Sequence, residues 1–386
     1  MSSTTNTSPA LPGLYVHIPF CASRCRYCSF VSNLYDMNLV NRYLDALHKE
    51  LAYHTEALSA GISTLFIGGG TPNILTLQQI TSLLSRFQKQ YTAEEFTIEC
   101  NPDSLSREKL SLFYQYGVNR LSIGAQTFDP DGLQLLGRRH TADAAKKAIT
   151  HAFETGFTSV SLDLIIAWPG QTQKMLIQDI KTALSLGITH ISCYNLIVEE
   201  DTAIFPDFAS GALVEKTDDE AREFWDISET YLMENGFDHY EISNFAKPGK
   251  QCKHNVNCWK GLDYIGIGAA AHSHWRGARF ANHAPLESYL ACLENNQSAK
   301  YFNECLDREA KAREGATLWL RMKDGINIEE FAARFGISIF DLYPVEVSRL
   351  LDLGLLELQT AKEGKLYLHL SAEAYPNADL VLVDLV

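Results

Sequence analysis

Hydrophobic positions along the chain follow two alternating rhythms. Short runs rich in β-formers, LYVHI (14–18), TLFIG (64–68), FTIEC (96–100), RLSIGAQ (120–126), SVSLDLIIA (159–167) and HISCYNLIV (190–198), read as strands. The stretches between them repeat apolar residues every three or four positions, the period of a helix with one buried face. Val40, Tyr43, Leu44, Leu47 and Leu51 mark such a face within 40–58, and Leu176, Ile177, Ile180 and Leu184 mark another within 173–186. Helices are likewise predicted over 76–90, with Thr76 as the cap, and over 106–116 and 141–155.

Six β–α repeats predict a parallel sheet with right-handed crossovers, either doubly wound or rolled into part of a barrel. The polar residues decide between the two. Cys21 to Cys28 follow the first strand, and Gly68 to Thr71 follow the second. Glu99 and Gln126 close the third and fourth; Asp163 and Tyr194 lie in the fifth and sixth. Polar chemistry at the end of nearly every strand is the rim of a barrel, whereas a doubly wound sheet gathers its site at one switch point. The expected fold class is α/β, a partial (β/α)6 TIM-like barrel.

Beyond the barrel the rhythm changes. A helix over 217–236 and a strand over 239–244 precede a loop, AKPGKQCKHN (246–255), and a Gly-, Ala- and His-rich stretch at 262–283. From 306, helices at 307–322, 328–335 and 339–353, then β segments LLELQT and KLYLHL, predict a small C-terminal winged-helix-like domain. The expected division is a disordered tail (1–13), the barrel (14–238), a connecting β and loop region (239–305) and the C-terminal domain (306–386).

Composition narrows the class. Of 386 residues, 46% are hydrophobic and 21% charged, which excludes a mostly disordered chain. A net charge of −14 argues against broad phosphate-backbone binding, so no nucleic-acid partner is expected. No apolar run approaches the roughly 18 residues of a membrane span. MSSTTNTSPALPG has neither the basic region nor the apolar core of a signal peptide, so a cytoplasmic location is expected.

Three of the nine cysteines, Cys21, Cys25 and Cys28, fall within eight residues. In a cytosolic chain such a cluster points to metal ligation and not to a disulfide framework. The spacing suits three corners of a 4Fe–4S cubane, leaving one iron open for substrate; a zinc ion completed by a histidine, or three unrelated cysteines, are the alternatives. The scattered six are expected to be small hydrophobes, and His17, in HIP, a hydrogen-bonded core histidine.

The same segment, YVHIPFCASRCRYCSF (15–30), resembles the signature of radical S-adenosylmethionine (SAM) enzymes. With GGGTP (68–72), IECNPDSL (98–105), GAQTF (124–128), LGRRH (136–140), DLIIAWPGQT (163–172), YEISNFAKPG (240–249) and HNVNCW (254–259), the chain is similar to the oxygen-independent coproporphyrinogen III oxidase-like family, over about residues 14–386. That resemblance implies a 4Fe–4S cluster on Cys21, Cys25 and Cys28, with SAM on the open iron. It places Tyr15 and Tyr27 against SAM, Gly69, Gly70 and Thr71 along its methionine part, and Glu99, Asp163, Gln126 and Arg138 on its polar groups. Glycine lets backbone approach a ligand closely, and an arginine fork suits a carboxylate.

The family holds both oxidases and haem chaperones, and three features are similar to the chaperones. The oxidases carry a further cysteine two residues after the third, where Phe30 stands here, and a longer segment before the motif. HNVNCW resembles the chaperone motif HNxxYW, which makes His254 the expected haem ligand. The resemblance thus implies a haem chaperone, with haem, a haem-accepting protein such as a membrane respiratory enzyme, and a reductant for the cluster as partners. The alternative is coproporphyrinogen III oxidation. Two departures stand out: Cys258 replaces the motif's tyrosine, and Ala167-Trp168 replaces the usual Gly-Leu, a change expected to reshape the cavity.

Overall fold

The computed structural model describes residues 11–361 and 364–385. The tail expected at 1–13 lies mostly outside them, but its last residues already belong to the fold. Strand β1 (Gly13–Ile18) begins at Gly13, whose N–H donates to the Asp263 carbonyl at 3.0 Å.

Five further parallel strands follow: β2 (Thr64–Gly69), β3 (Glu95–Cys100), β4 (Arg120–Gln126), β5 (Val160–Ile166) and β6 (His190–Asn195). They lie side by side in chain order, each in parallel register with the next. An unreversed order is that of a barrel wall; a doubly wound sheet reverses direction at its switch point. Helices α1 (Met37–Tyr53), α2 (Leu77–Gln90), α3 (Arg107–Gln115), α4 (Ala142–Thr155), α5 (Gln173–Ser185) and α6 (Asp218–Glu234) follow successive strands. Each starts on a side-chain cap, from Asp36, Thr76, Ser106, Thr141, Thr172 and Thr217. Such caps accept from otherwise unpaired first-turn N–H groups, which is why these starts were legible to within a few residues.

The connecting region is more regular than its composition suggests. The strand expected at 239–244 is a tight antiparallel pair, β7 (Asp238–Glu241) and β8 (Asn244–Ala246), that joins β6. The loop expected up to 255 already turns into helix α7 (Lys253–Trp259). The Gly-, Ala- and His-rich stretch forms three strands, β9 (Tyr264–Ile267), β10 (His272–Trp275) and β11 (Ala278–Asn282), and β12 (Lys300–Cys305) follows. Strand β9 runs parallel to β1, so all four extend the barrel sheet beyond its first edge to twelve strands among the described residues.

In the C-terminal part, helices include Arg308–Trp319 and Ile328–Phe335. The helix expected over 339–353 is broken into Ile339–Leu342 and Glu346–Asp352 around Tyr343-Pro344, because proline cannot donate within a helix and disfavours helical geometry before it. Ile326–Asn327, Leu356–Thr360 and Leu366–Leu370 close a small three-stranded antiparallel sheet.

Candidate functional site

Side chains alternate across each barrel strand, so residues two apart share the interior face. Going up β4 from its start, that face carries Arg120, Ser122, Gly124 and Gln126; on β5 it carries Ser161 and Asp163. Cross-strand bonds join these faces: Ser122 Oγ donates to Asp163 at 3.2 Å, and Ser161 Oγ pairs with His190 Nδ1 at 2.7 Å.

At the C-terminal ends of the strands a cavity of about 390 Å³ opens. Cys21, Cys25, Cys28 and Tyr27 line it from the loop after β1, and Gly69, Gly70 and Thr71 from the end of β2. Glu99, Gln126, Arg138 and Asp163 complete the wall. All but one of the residues expected at the cluster and SAM are therefore brought to one space. The exception is Tyr15. Its ring faces the interior lower down, its hydroxyl 2.9 Å from His17 Nδ1, and it is not on the cavity wall. His17 is a buried, hydrogen-bonded histidine, as expected, with Nε2 at 3.2 Å from the Val31 carbonyl.

Local conformation explains the glycines. Gly69 sits at φ 109, and a Cβ there would lie 2.5 Å from the His17 ring; a Cβ on Gly70 would meet the Phe20 backbone at 2.8 Å. The chain thus lets the loop that carries Cys21 to Cys28 lie directly on the end of β2. Gly69 N–H also donates to Glu99 at 3.0 Å, fixing that carboxylate in the cavity. Burial, and then the nearby Asp163 charge, push the Glu99 carboxyl up to about 7. Burial raises Asp163 as well, against hydrogen bonds from Ser192 and Ser122. These serines were not anticipated; the period-two alternation along β4 and β6 is the signal that points to them.

Arg138 crosses the cavity. It donates to Cys25 Sγ at 3.2 Å, to the Asn101 side chain at 3.0 Å and to the Gly124 carbonyl at 2.6 Å, while its buried Nε has no partner among the described residues. Cys21 Sγ lies 3.4 Å from Thr71 Oγ1. Burial raises the Cys21 and Cys28 thiols, so in this protein alone they hold their protons. A soft donor set of three half-exposed thiols beside a guanidinium, two carboxylates and exposed backbone fits an iron–sulfur cluster with a zwitterionic, cationic cosubstrate.

Trp168 does not enter the cavity. It is buried in a cluster with Leu136 and Ile165, against which Tyr27 packs, and lies against Gly132. The expected reshaping is therefore indirect, through the seat of Tyr27. Ala167 has φ 58, a left-handed conformation in which glycine is the ordinary choice.

HNVNCW lies at the other end of the barrel. Glu95, at the start of β3, accepts from the backbone N–H groups of Lys253 (2.9 Å) and His254 (3.0 Å). His254 Nδ1 pairs with Thr64 Oγ1 at 2.8 Å, and its ring packs on Phe66. Burial, and then the Arg120 charge, lower its pKa to about 4, which keeps it neutral. Tyr240, from YEISNFAKPG, joins this floor by bonding His190 Nε2 at 2.8 Å.

Comparison with known proteins adds the family. The model of the radical SAM superfamily matches residues 15–183, and that of the HemN C-terminal domain matches 306–361. "Heme chaperone HemW" of Lactococcus lactis is 34% identical over 346 residues, covering 89% of this chain and 90% of that protein. "Heme chaperone HemW" of Bacillus subtilis is 36% identical over 348 residues, covering 89% and 92%. This chain belongs to the HemW family of radical SAM proteins. Members of the radical SAM superfamily are built around a 4Fe–4S cluster and SAM, which resolves the choice between cluster and zinc that spacing alone left open. The HemW relative of Escherichia coli is 36% identical over 267 residues. The fold itself is shared with the solved coproporphyrinogen III oxidase (HemN) of E. coli, at TM-score 0.84 and 22% identity, over 98% of this chain and 90% of that one.

Proposed function

We propose that this HemW-family protein is a haem chaperone on a radical SAM scaffold, binding haem and passing it to haem-requiring proteins. The observation that carries this reading is the identity of 34% and 36% to two haem chaperones over about nine-tenths of each chain. Phe30, at the position where the oxidase branch continues its cysteine motif, is exposed and lines the cavity, in keeping with that reading.

In this reading Cys21, Cys25 and Cys28 hold the cluster, and Arg138 steadies the Cys25 sulfur. The bound cluster supplies an open iron position and an electron. Glu99 and Asp163 accept hydrogen bonds from the cationic or hydroxyl groups of SAM, and Gln126 and Arg138 meet its remaining polar groups. Gly69, Gly70 and Thr71 offer backbone along its methionine part, Tyr27 an aromatic face beside its adenine, and Tyr15 supports the site from below. His254, expected as the haem ligand, is buried in the barrel floor against Thr64 and Phe66, so in this reading it braces the haem element and does not ligate: its bond to Thr64 holds α7, which carries Cys258 and Trp259.

The acceptor is a haem-requiring respiratory enzyme at the inner face of the membrane, visited from the cytoplasm, and a cellular reductant serves the cluster. No helix among the described residues is long and apolar enough to cross a membrane. The division at 14–238, 239–305 and 306–386 is kept in this reading, supported by the HemN C-terminal match from 306.

Anaerobic incubation of the cluster-loaded protein with coproporphyrinogen III, SAM and reductant, followed by haem titration of the same sample, tests it. The expected result is haem binding near one per chain with little or no decarboxylation. Robust conversion to protoporphyrinogen IX without haem affinity above background returns the chain to the oxidases.

A further inference from the structure

A second, larger cavity, of about 970 Å³, lies beside the barrel floor, far from the cluster loop. Cys258 and Trp259, the last residues of HNVNCW, line it together with Leu318 and Phe335 of the C-terminal part. His272 and His274 project from β10 on the same face of that strand.

Three observations give this space a chemistry. His274 is oriented: its Nδ1 is 3.4 Å from the Leu262 carbonyl and 3.7 Å from the Asp263 carboxylate, leaving Nε2 as the free lone pair. A metal-binding imidazole is typically held in this way, by an acceptor on its other nitrogen. Secondly, Arg276 and Lys311 line the cavity, and neither has a carboxylate partner within ion-pair distance among the described residues, whereas Arg279 is taken by Glu304 and Glu314. Thirdly, Arg276 occupies the two-residue turn between β10 and β11 at φ 51, followed by Gly277 at φ 77. Asn or Gly is favoured at that turn position, so an arginine there is held in a costly conformation with its guanidinium over Trp275, 5.1 Å from the ring centroid.

We propose that this cavity is the haem cradle: His274 Nε2 ligates the iron, and Arg276 and Lys311 receive the two propionates. Four carboxylates also line the space, of which Glu304 and Glu314 are paired with Arg279; the apolar side chains, one poised imidazole and two unpaired cations match a flat amphiphile that carries a metal at its centre and two carboxylates on one edge. The inference rests on the chaperone reading and names the site of that function. His254 then acts from beneath: it packs within 6.4 Å of Tyr264, centroid to centroid, and Tyr264 lines the cavity. It is a positioning residue.

The test is anaerobic haem titration of the full-length, cluster-loaded protein, read by absorption and electron paramagnetic resonance, with SAM binding as the check on folding. His274→Ala is expected to weaken haem binding about tenfold or more and to shift the Soret band and spin state, because the axial ligand is lost. The Arg276→Glu/Lys311→Glu double variant is expected to weaken binding by a similar factor, about tenfold, with the band position unchanged. His254→Ala should lower occupancy while leaving the spectrum of the bound fraction as it was. Wild-type affinity and spectrum in both cavity variants would overturn the cradle and leave the chaperone reading standing. A spectral change in His254→Ala or His272→Ala, but not in His274→Ala, would overturn the ligand. Absence of haem binding by the unaltered protein would sink the chaperone reading itself.

Discussion

Serine at Cys21, Cys25 or Cys28 is expected to strip the protein of nearly all its iron and acid-labile sulfide after anaerobic reconstitution. The three thiols line one cavity on one loop, and a serine hydroxyl is a poor ligand for soft metals. The loss should be close to complete for each single variant, because a cubane held at two corners has two open irons and falls to chelators. Serine at Cys193, buried in the hydrophobic core and away from that cavity, should leave iron content unchanged. Retention of full iron in the triple variant would show that the cluster is held elsewhere. Arg138 adds a secondary effect: it donates a hydrogen bond to the Cys25 sulfur, so Arg138→Met should slow reconstitution without abolishing it.

SAM binding should depend on the carboxylates in the same cavity. Removing one charge-assisted hydrogen bond, by Glu99→Gln or Asp163→Asn, should cost about 1.5–3 kcal/mol, or roughly 10- to 150-fold in affinity, with the cluster intact. pH sharpens the test. Burial and the neighbouring Asp163 raise Glu99 to about 7, so in the ligand-free protein it is largely protonated below that value. A cationic ligand prefers the ionised form. Wild-type affinity should therefore fall as pH drops from about 8 to about 6, with proton release on binding, and Glu99→Gln should flatten that dependence. Calorimetric titration at three pH values reads both effects. Equal affinities for wild type and both variants would place the ammonium and ribose of SAM on other groups.

The barrel was legible because local and global preferences agree in it. Capping residues stand before each helix, and strands are bounded by Gly, Pro and polar turns. The polar rim could be read from strand ends alone, and the structure brings Glu99, Gln126, Arg138 and Asp163 onto one wall although they span some sixty residues. The hairpins of β9 to β11 were not legible. Glycine, alanine and histidine give no alternation, and the turn at Arg276-Gly277 lacks the usual Asn-Gly signal. The depth of Tyr15 and the burial of His254 also escaped the sequence, since a residue's height inside a barrel depends on strand register, which no short motif carries.

That register has a consequence for the safety of the cargo. Tyr264 pairs with Gly13 on one side and with His274 on the other, so His274 stands level with the start of β1. The cysteine loop begins beyond the other end of the same strand, past Ile18. Six residues at about 3.3 Å each put on the order of 20 Å between the two. If the proposed cradle holds, a porphyrin beside His274 would be separated by the whole length of the wall from any reactive species born at the cysteines. On the proposed reading a recipient would dock at the floor without approaching the cysteine loop, so that delivery and redox chemistry would not need to take turns.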